Sequence, residues 1–196
     1  MGLTPPLDRR PILVALAGPN GAGISTFFHA HVSATGLLFV NADVIAAAAG
    51  KDPYGAARVA DSIRRFLMDQ RESFIFGTVF SDPGGEELRF LKEAESKGYT
   101  VVLLFIGIDG PVLSGDRVAM RVLQGGHDVP SAKLTERFPR IMKNLKCALA
   151  ELPNVWVYDN SDLGNPYRLV AKTETGKGIE LHEPVPKWLR PLLPVA

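Results

Sequence analysis

Only one cysteine, Cys147, stands in this chain of 196 residues. A lone thiol excludes an internal disulfide framework and suits a reducing compartment. Histidine is nearly as scarce, with four residues. His127 has no second ligand at metal-binding spacing, so a zinc-type site is not expected. Neither sign of charge dominates: 22 Lys and Arg face 21 Asp and Glu, a formal net charge of +1. No basic field marks long DNA or RNA as the main ligand. No apolar run reaches 18 residues, so no membrane-spanning helix is expected. The first ten residues lack an apolar signal core, and Pro5 and Pro6 argue against myristoylation at Gly2. There is no internal repeat and no long low-complexity segment. These absences leave a cytoplasmic globular protein. The 46% hydrophobic content suits one domain over residues 1–196 with a sizeable core.

What the chain does hold is a glycine loop. Residues 18–26 read Gly18, Pro19, Asn20, Gly21, Ala22, Gly23, Ile24, Ser25, Thr26. This is the phosphate-binding pattern G-x-x-x-x-G-K-[ST] with Ile24 at the lysine position. Backbone N–H groups of Gly21 to Ile24 would cradle a β-phosphate, and the Ser25 hydroxyl would hold Mg²⁺. An apolar run over 11–17 precedes the loop, as a buried parallel strand should, and a helix over 25–33 is expected after it. The bland alternative is a glycine-rich strand-to-helix turn without a ligand.

Further strands are expected near 37–41, 73–76, 100–106 and 154–158. Helices are expected near 55–71, 85–97, 111–124 and 131–151. This alternation implies βαβ units: an α/β fold with a three-layer parallel sheet and helices on both faces. Ligands of such sheets bind at the carboxyl ends of the strands. That rule selects residues 18–26, 41–43, 77–82, 107–109 and 159–162 as one rim. After residue 166 a hairpin on the sheet edge is expected, with Gly176 in its turn. A proline-rich tail then runs over the surface, so that 167–196 forms an edge appendage. Trp188 and Leu189 either pin that tail or bind a partner.

Four segments beyond the loop carry chemistry. Asn41 and Asp43 follow the second strand; Asp43 is either a carboxylate serving the phosphates or a helix N-cap. Gly77, Thr78, Ser81 and Asp82 end the third strand, lining a substrate pocket or capping the next helix. Arg117 and Arg121 share a helix face at i, i+4 spacing. With Gly125 and Gly126 and the following Lys133, Arg137 and Arg140, they describe a lid over about 117–140 whose arginines close on phosphates. The alternative is a solvated basic face. His127 would cap or orient that lid. Asp159 to Asp162 would touch a base or form a simple turn.

These motifs together resemble the zeta toxin-like family of P-loop kinases. The likeness runs over about 10–173 and rests on residues 17–26, 41–43, 76–78 and 158–162, and on Arg121 before the Gly-Gly-His-Asp-Val-Pro segment at 125–130. The resemblance implies an ATP- or GTP-dependent phosphotransferase using Mg²⁺. The acceptor would be a small-molecule hydroxyl, such as a UDP-activated amino sugar, and an antitoxin protein would be the partner. It makes Asp43 the base and Arg121 and Arg137 the phosphate-binding lid residues; Asn41, Gly77, Thr78 and Asp82, at the ends of the second and third strands, are read as the acceptor side. Two departures stand out. Ile24 replaces the family lysine, and Gly77 replaces the family glutamate. Losing a charge aimed at the transition state costs about 3–4 kcal/mol, a hundredfold to thousandfold in rate. The chain is therefore expected to be an impaired kinase or, alternatively, a non-catalytic nucleotide-binding or partner-binding module. Lys51 and Lys133 are candidates for a relocated lysine.

Overall fold

The computed structural model describes residues 5–50, 52–125, 128–175 and 177–194. Lys51, Gly126, His127 and Gly176 lie outside these residues, and with them the proposed orienting role of His127, the second hinge glycine and the hairpin turn.

A seven-stranded sheet runs in the order β2-β3-β1-β4-β5-β6-β7. β1 (Ile12–Ala17) lies at its centre between β3 (Phe74–Thr78) and β4 (Thr100–Gly107), with β2 (Leu38–Val40) outside β3 and β5 (Val155–Asp159) outside β4, all parallel. β6 (Arg168–Thr173) and β7 (Glu180–Leu181) extend the sheet antiparallel, as the expected edge hairpin. Every residue of β1 is buried, which explains why its sequence is continuously apolar rather than alternating.

Successive side chains of a strand point to opposite faces, and the core divides accordingly. Leu13, Ala15, Phe74 and Phe76 join α-helical residues such as Leu91, Ile141 and Leu145 on one face. Ile12, Val14, Leu16 and Ile75 pack with Phe27 and Val32 on the other. The helices are α1 (Ile24–Phe27), α2 (Ala42–Ala49), α3 (Pro53–Asp69), α4 (Glu86–Ser96), α5 (Gly110–Leu123) and α6 (Ser131–Glu151). Asp52 caps α3, accepting from the N–H groups of Tyr54 at 3.0 Å and Gly55 at 2.9 Å, with Pro53 in the first turn where a missing N–H is harmless.

One expectation needs correction. The helix expected over 25–33 is only one α-helical turn, followed by a wide turn over Phe28–Val32 and a tight one over Ser33–Thr35. Its sequence holds aromatic and β-branched residues and no capping side chain, so packing rather than propensity sets its shape. Val118 of α5 and Leu134 of α6, both within the span read as a lid, are buried in the fold.

Candidate functional site

The strand order reverses at β1, and the crevice there is where ligands of open α/β sheets bind. A cavity of about 470 Å³ opens at this point. The whole glycine loop lines it, with Asn41, Asp43, Gly77, Thr78, Arg117 and Arg121, and with Arg64 and Glu87, which sequence reasoning missed.

The loop is held open by its neighbours. Gly21 and Gly23 adopt φ of 76° and 89°, in the left-handed region. A Cβ on Gly23 would lie 2.7 Å from the Tyr167 hydroxyl, and one on Gly21 would lie 3.0 Å from Arg117 Cβ. Three donors take up carbonyls of the loop: Ser114 Oγ to Asn20 at 2.6 Å, Asn160 Nδ2 to Ala22 at 2.8 Å and the Tyr167 hydroxyl to Gly23 at 3.0 Å. The loop carbonyls thus have partners from α5 and from the connection between β5 and β6. This cradle suits an anion bound by backbone N–H groups. Ser25 and Thr26 are exposed at its mouth.

Ile24 lies at the start of α1, half-buried and packed against the apolar cluster of Phe27 and Val32. The position that normally carries a cation toward phosphates here serves the core. Lys133 is not among the residues that line the cavity; its Nζ sits 5.9 Å from the ring centre of Tyr54. The cations that do line the cavity are arginines. Arg117 leans on the loop and donates to the Ser161 carbonyl at 3.2 Å. Arg64 lies over the Phe76 ring, 4.7 Å from its centre, and pairs with Asp61 at 3.1 Å. Arg137 and Asp82 are not among the lining residues. Arg137 stands in the second turn of α6. Asp82 accepts from the backbone N–H of Glu86 and lies by Asn144 Nδ2 at 3.4 Å.

Asn41, not Asp43, caps α2: its Oδ1 accepts from the Asp43 N–H at 2.8 Å. That leaves the exposed Asp43 carboxylate in the first turn, facing the cavity. Gly77 faces Phe39 and Asn41; a Cβ there would stand 3.3 Å from Phe39 Cζ and 3.4 Å from Asn41 Nδ2. Phe39 itself stacks on Phe28 with ring centres 4.0 Å apart.

The loop after β5 braces rather than opens. Asp159 accepts from Trp188 Nε1 at 3.0 Å and pairs with Arg168 at 3.3 Å, and Asn160 bonds the glycine loop. Trp188 and Leu189 are buried against the body, so they pin the tail rather than await a partner. Among the described residues no group of three or more His, Cys, Asp or Glu gathers as a metal site, and no helix is long and apolar enough to cross a membrane.

Comparison with known proteins agrees with this fold. The structures of AvrRxo1-ORF1 with AvrRxo1-ORF2, one with sulphate ions and one with ATP, superpose with TM-scores of 0.69 and 0.68, each at 18% identity. They match 90% and 89% of this chain, which spans only 62% and 61% of theirs. The PezAT chromosomal toxin-antitoxin system of Streptococcus pneumoniae gives a TM-score of 0.57 at 17% identity, over 78% of this chain and 68% of that one. At these identities the likeness is one of fold. No curated protein matches the chain. The family model described as Zeta toxin matches residues 52–168, a span that begins beyond the glycine loop and Asp43 and covers more than half of the chain. The chain belongs to the zeta toxin family.

Proposed function

We propose that this protein is a zeta toxin-like phosphotransferase that moves a phosphoryl group from ATP or GTP to the hydroxyl of a small molecule, a UDP-activated amino sugar being the acceptor class the family suggests. One observation carries the reading: the glycine loop, the ends of β2 and β3 and two arginines of α5 meet in a single cavity at the switch point of the sheet.

In this reading the N–H groups of Gly21, Ala22, Gly23 and Ile24 hold the nucleotide phosphates, and Gly18, Pro19, Asn20 and Thr26 shape the loop around them. Ser25 holds Mg²⁺, which offsets charge on the phosphate oxygens when bound. Arg117 and Arg121 stabilise the charge of the transferring group, and Arg137 joins them only if the start of α6 closes further over the cavity. Asp43 is the base for the acceptor hydroxyl, and Asn41, Gly77 and Thr78 form the acceptor side. Asp82 supports that side through the turn it caps. Ile24 withholds the usual cation, so turnover is slow. An antitoxin-type protein is the partner this family reading suggests; neither long nucleic acid nor membrane has a place in it.

The second reading, a nucleotide-binding or partner-binding module without turnover, draws on the packing of Ile24 into the apolar cluster. Calorimetric titration with ATP and Mg²⁺ tests both. Ile24→Lys is expected to bind about tenfold more tightly or better than the unaltered chain. Binding by neither protein sinks the nucleotide-site reading.

A further inference from the structure

The connection between β3 and α4 is held by side chains from three elements. The Thr78 hydroxyl donates to Glu87 Oε1 and accepts the N–H of Phe80 at 2.9 Å. The Thr78 carbonyl accepts the N–H of Gly18 at 3.3 Å, so the connection is bonded to the first residue of the glycine loop. Phe80 is fully buried at φ 60°. A bulky residue adopts that left-handed conformation only where its surroundings impose it. Asn144 of α6 supplies the constraint, its Nδ2 donating to the carbonyls of Phe80 and Asp82 at 3.0 Å each.

Two carboxyls close this turn: Asp82 before α4 and Glu87 in its first turn. Glu87 Oε2 is closed off from solvent and, as an ionised oxygen, has no donor among the described residues. Such an oxygen is costly and calls for an explanation. A proton on Oε2 supplies it, because Glu87 and Asp82 are hydrogen-bonded to each other. Asp82 already accepts the Glu86 N–H and lies 3.4 Å from Asn144 Nδ2, so it is the acceptor of the pair and Glu87 the donor. Three groups face the Glu87 carboxyl: Thr78 from β3, Arg64 from α3 and Asp82 from the turn. Burial pushes it up to about 7, the Thr78 hydrogen bond and Arg64 oppose the rise, and Asp82 adds to it.

We propose that Asp82 and Glu87 share a single proton, and that this proton latches the β3–α4 connection against the nucleotide cavity. With the proton in place, Glu87 donates to Asp82 and accepts from Thr78, and Thr78 holds the end of β3 beside Gly18. When the proton leaves to water, two like charges face each other in a turn partly withdrawn from solvent, where their repulsion is poorly screened. The contacts that fix Thr78 give way, and the wall formed by Thr78, Val79 and Glu87 loosens beside the glycine loop. The latched form is therefore the low-pH form, and it is the one that binds nucleotide tightly. The apparent affinity falls with the population of that form, which is about one molecule in eleven at pH 8 for a value near 7. This inference adds a control to the site proposed above and rests on that reading for its ligand; the shared proton itself does not.

The unaltered chain, Glu87→Gln and Asp82→Asn test it together. Carbon-13 NMR follows the side-chain carboxyl carbons against pH without nucleotide, and calorimetry gives the Kd for ATP with Mg²⁺ at pH 6 and pH 8. In the unaltered chain the Glu87 signal is expected to titrate near pH 7, with the Asp82 signal moving in the same step. The Kd should weaken by about threefold to tenfold from pH 6 to pH 8. Glu87→Gln keeps a donor to Asp82 that no pH removes, so its Kd should change by less than about twofold over that range. Asp82→Asn removes the opposing charge, so Glu87 should titrate lower. A Glu87 signal that titrates near the ordinary 4.5, or that is unmoved by Asp82→Asn, overturns the shared proton. A Kd that weakens alike in the unaltered chain and Glu87→Gln, or in neither, overturns the latch. ATP binding by none of the three at either pH overturns the nucleotide reading and the latch as its control, while the carboxyl titration still decides the shared proton.

Discussion

Glu87 enters the folded state with a raised affinity for its proton, and the sign of the consequence is definite. Its folded value of about 7 lies above the ordinary 4.5, so between those values the native state binds more protons than the unfolded chain. The stabilisation this brings is complete below about pH 4.5 and is lost as pH rises to about 7. At one pKa unit per 1.4 kcal/mol, the full loss is at most about 3.5 kcal/mol. Denaturant unfolding between pH 5 and 8 should show stability falling with pH, and Glu87→Gln should flatten the fall. Asn160 makes the opposite kind of contribution. It holds the Ala22 carbonyl from a buried position, and Asn160→Ala would orphan that acceptor. A loss of about 1–3 kcal/mol in chemical denaturation is expected, with weaker ATP binding because the loop loses a brace. Neither residue is conspicuous in the sequence. Glu87 reads there as one more charge in the first turn of a helix, where acids are common, and Asn160 reads as a turn residue.

At the scale of elements, the glycine loop and its short helix show how far pattern reaches. The spacing of Gly18, Gly21 and Gly23 identified the loop. It did not disclose that Gly23 is hemmed in by Tyr167 and Asn160, two residues from beyond β5. Gly23→Ala combines a left-handed φ with a Cβ 2.7 Å from the Tyr167 hydroxyl. It should cost about 1–3 kcal/mol of stability and reduce ATP affinity, as measured by thermal unfolding and calorimetry. Long amphipathic helices were legible: α6 occupies the expected 131–151, because its apolar spacing over many turns leaves one solution. The helix after the loop was not, because a single turn held by Phe27 against Tyr158 and Tyr167 has no periodicity to read.

For the whole molecule, the tail closes the structure. Trp188 covers the end of β4 so closely that a Cβ on Gly107 would lie 2.2 Å from its ring, and its indole N–H is bonded to Asp159. Trp188→Ala would empty that site and leave the Asp159 carboxylate short of a donor. A loss of about 3–5 kcal/mol, seen as a lowered unfolding temperature, is expected. Weaker ATP binding should accompany it, since Asp159 leads directly into the Asn160 brace.

The sequence by itself determined the layer architecture, the parallel order of strands and helices, and the loop that addresses phosphates. These follow from local periodicity and from backbone needs that only glycine meets. The resemblance also marked Ile24 and Gly77 as departures from the family pattern. Only the tertiary structure decided which charged side chains from distant helices line the cavity. Arg64 and Glu87 reach the cavity from α3 and α4, far from the loop in sequence. Their placement depends on how two helices pack against one face of the sheet, and no local pattern records that packing.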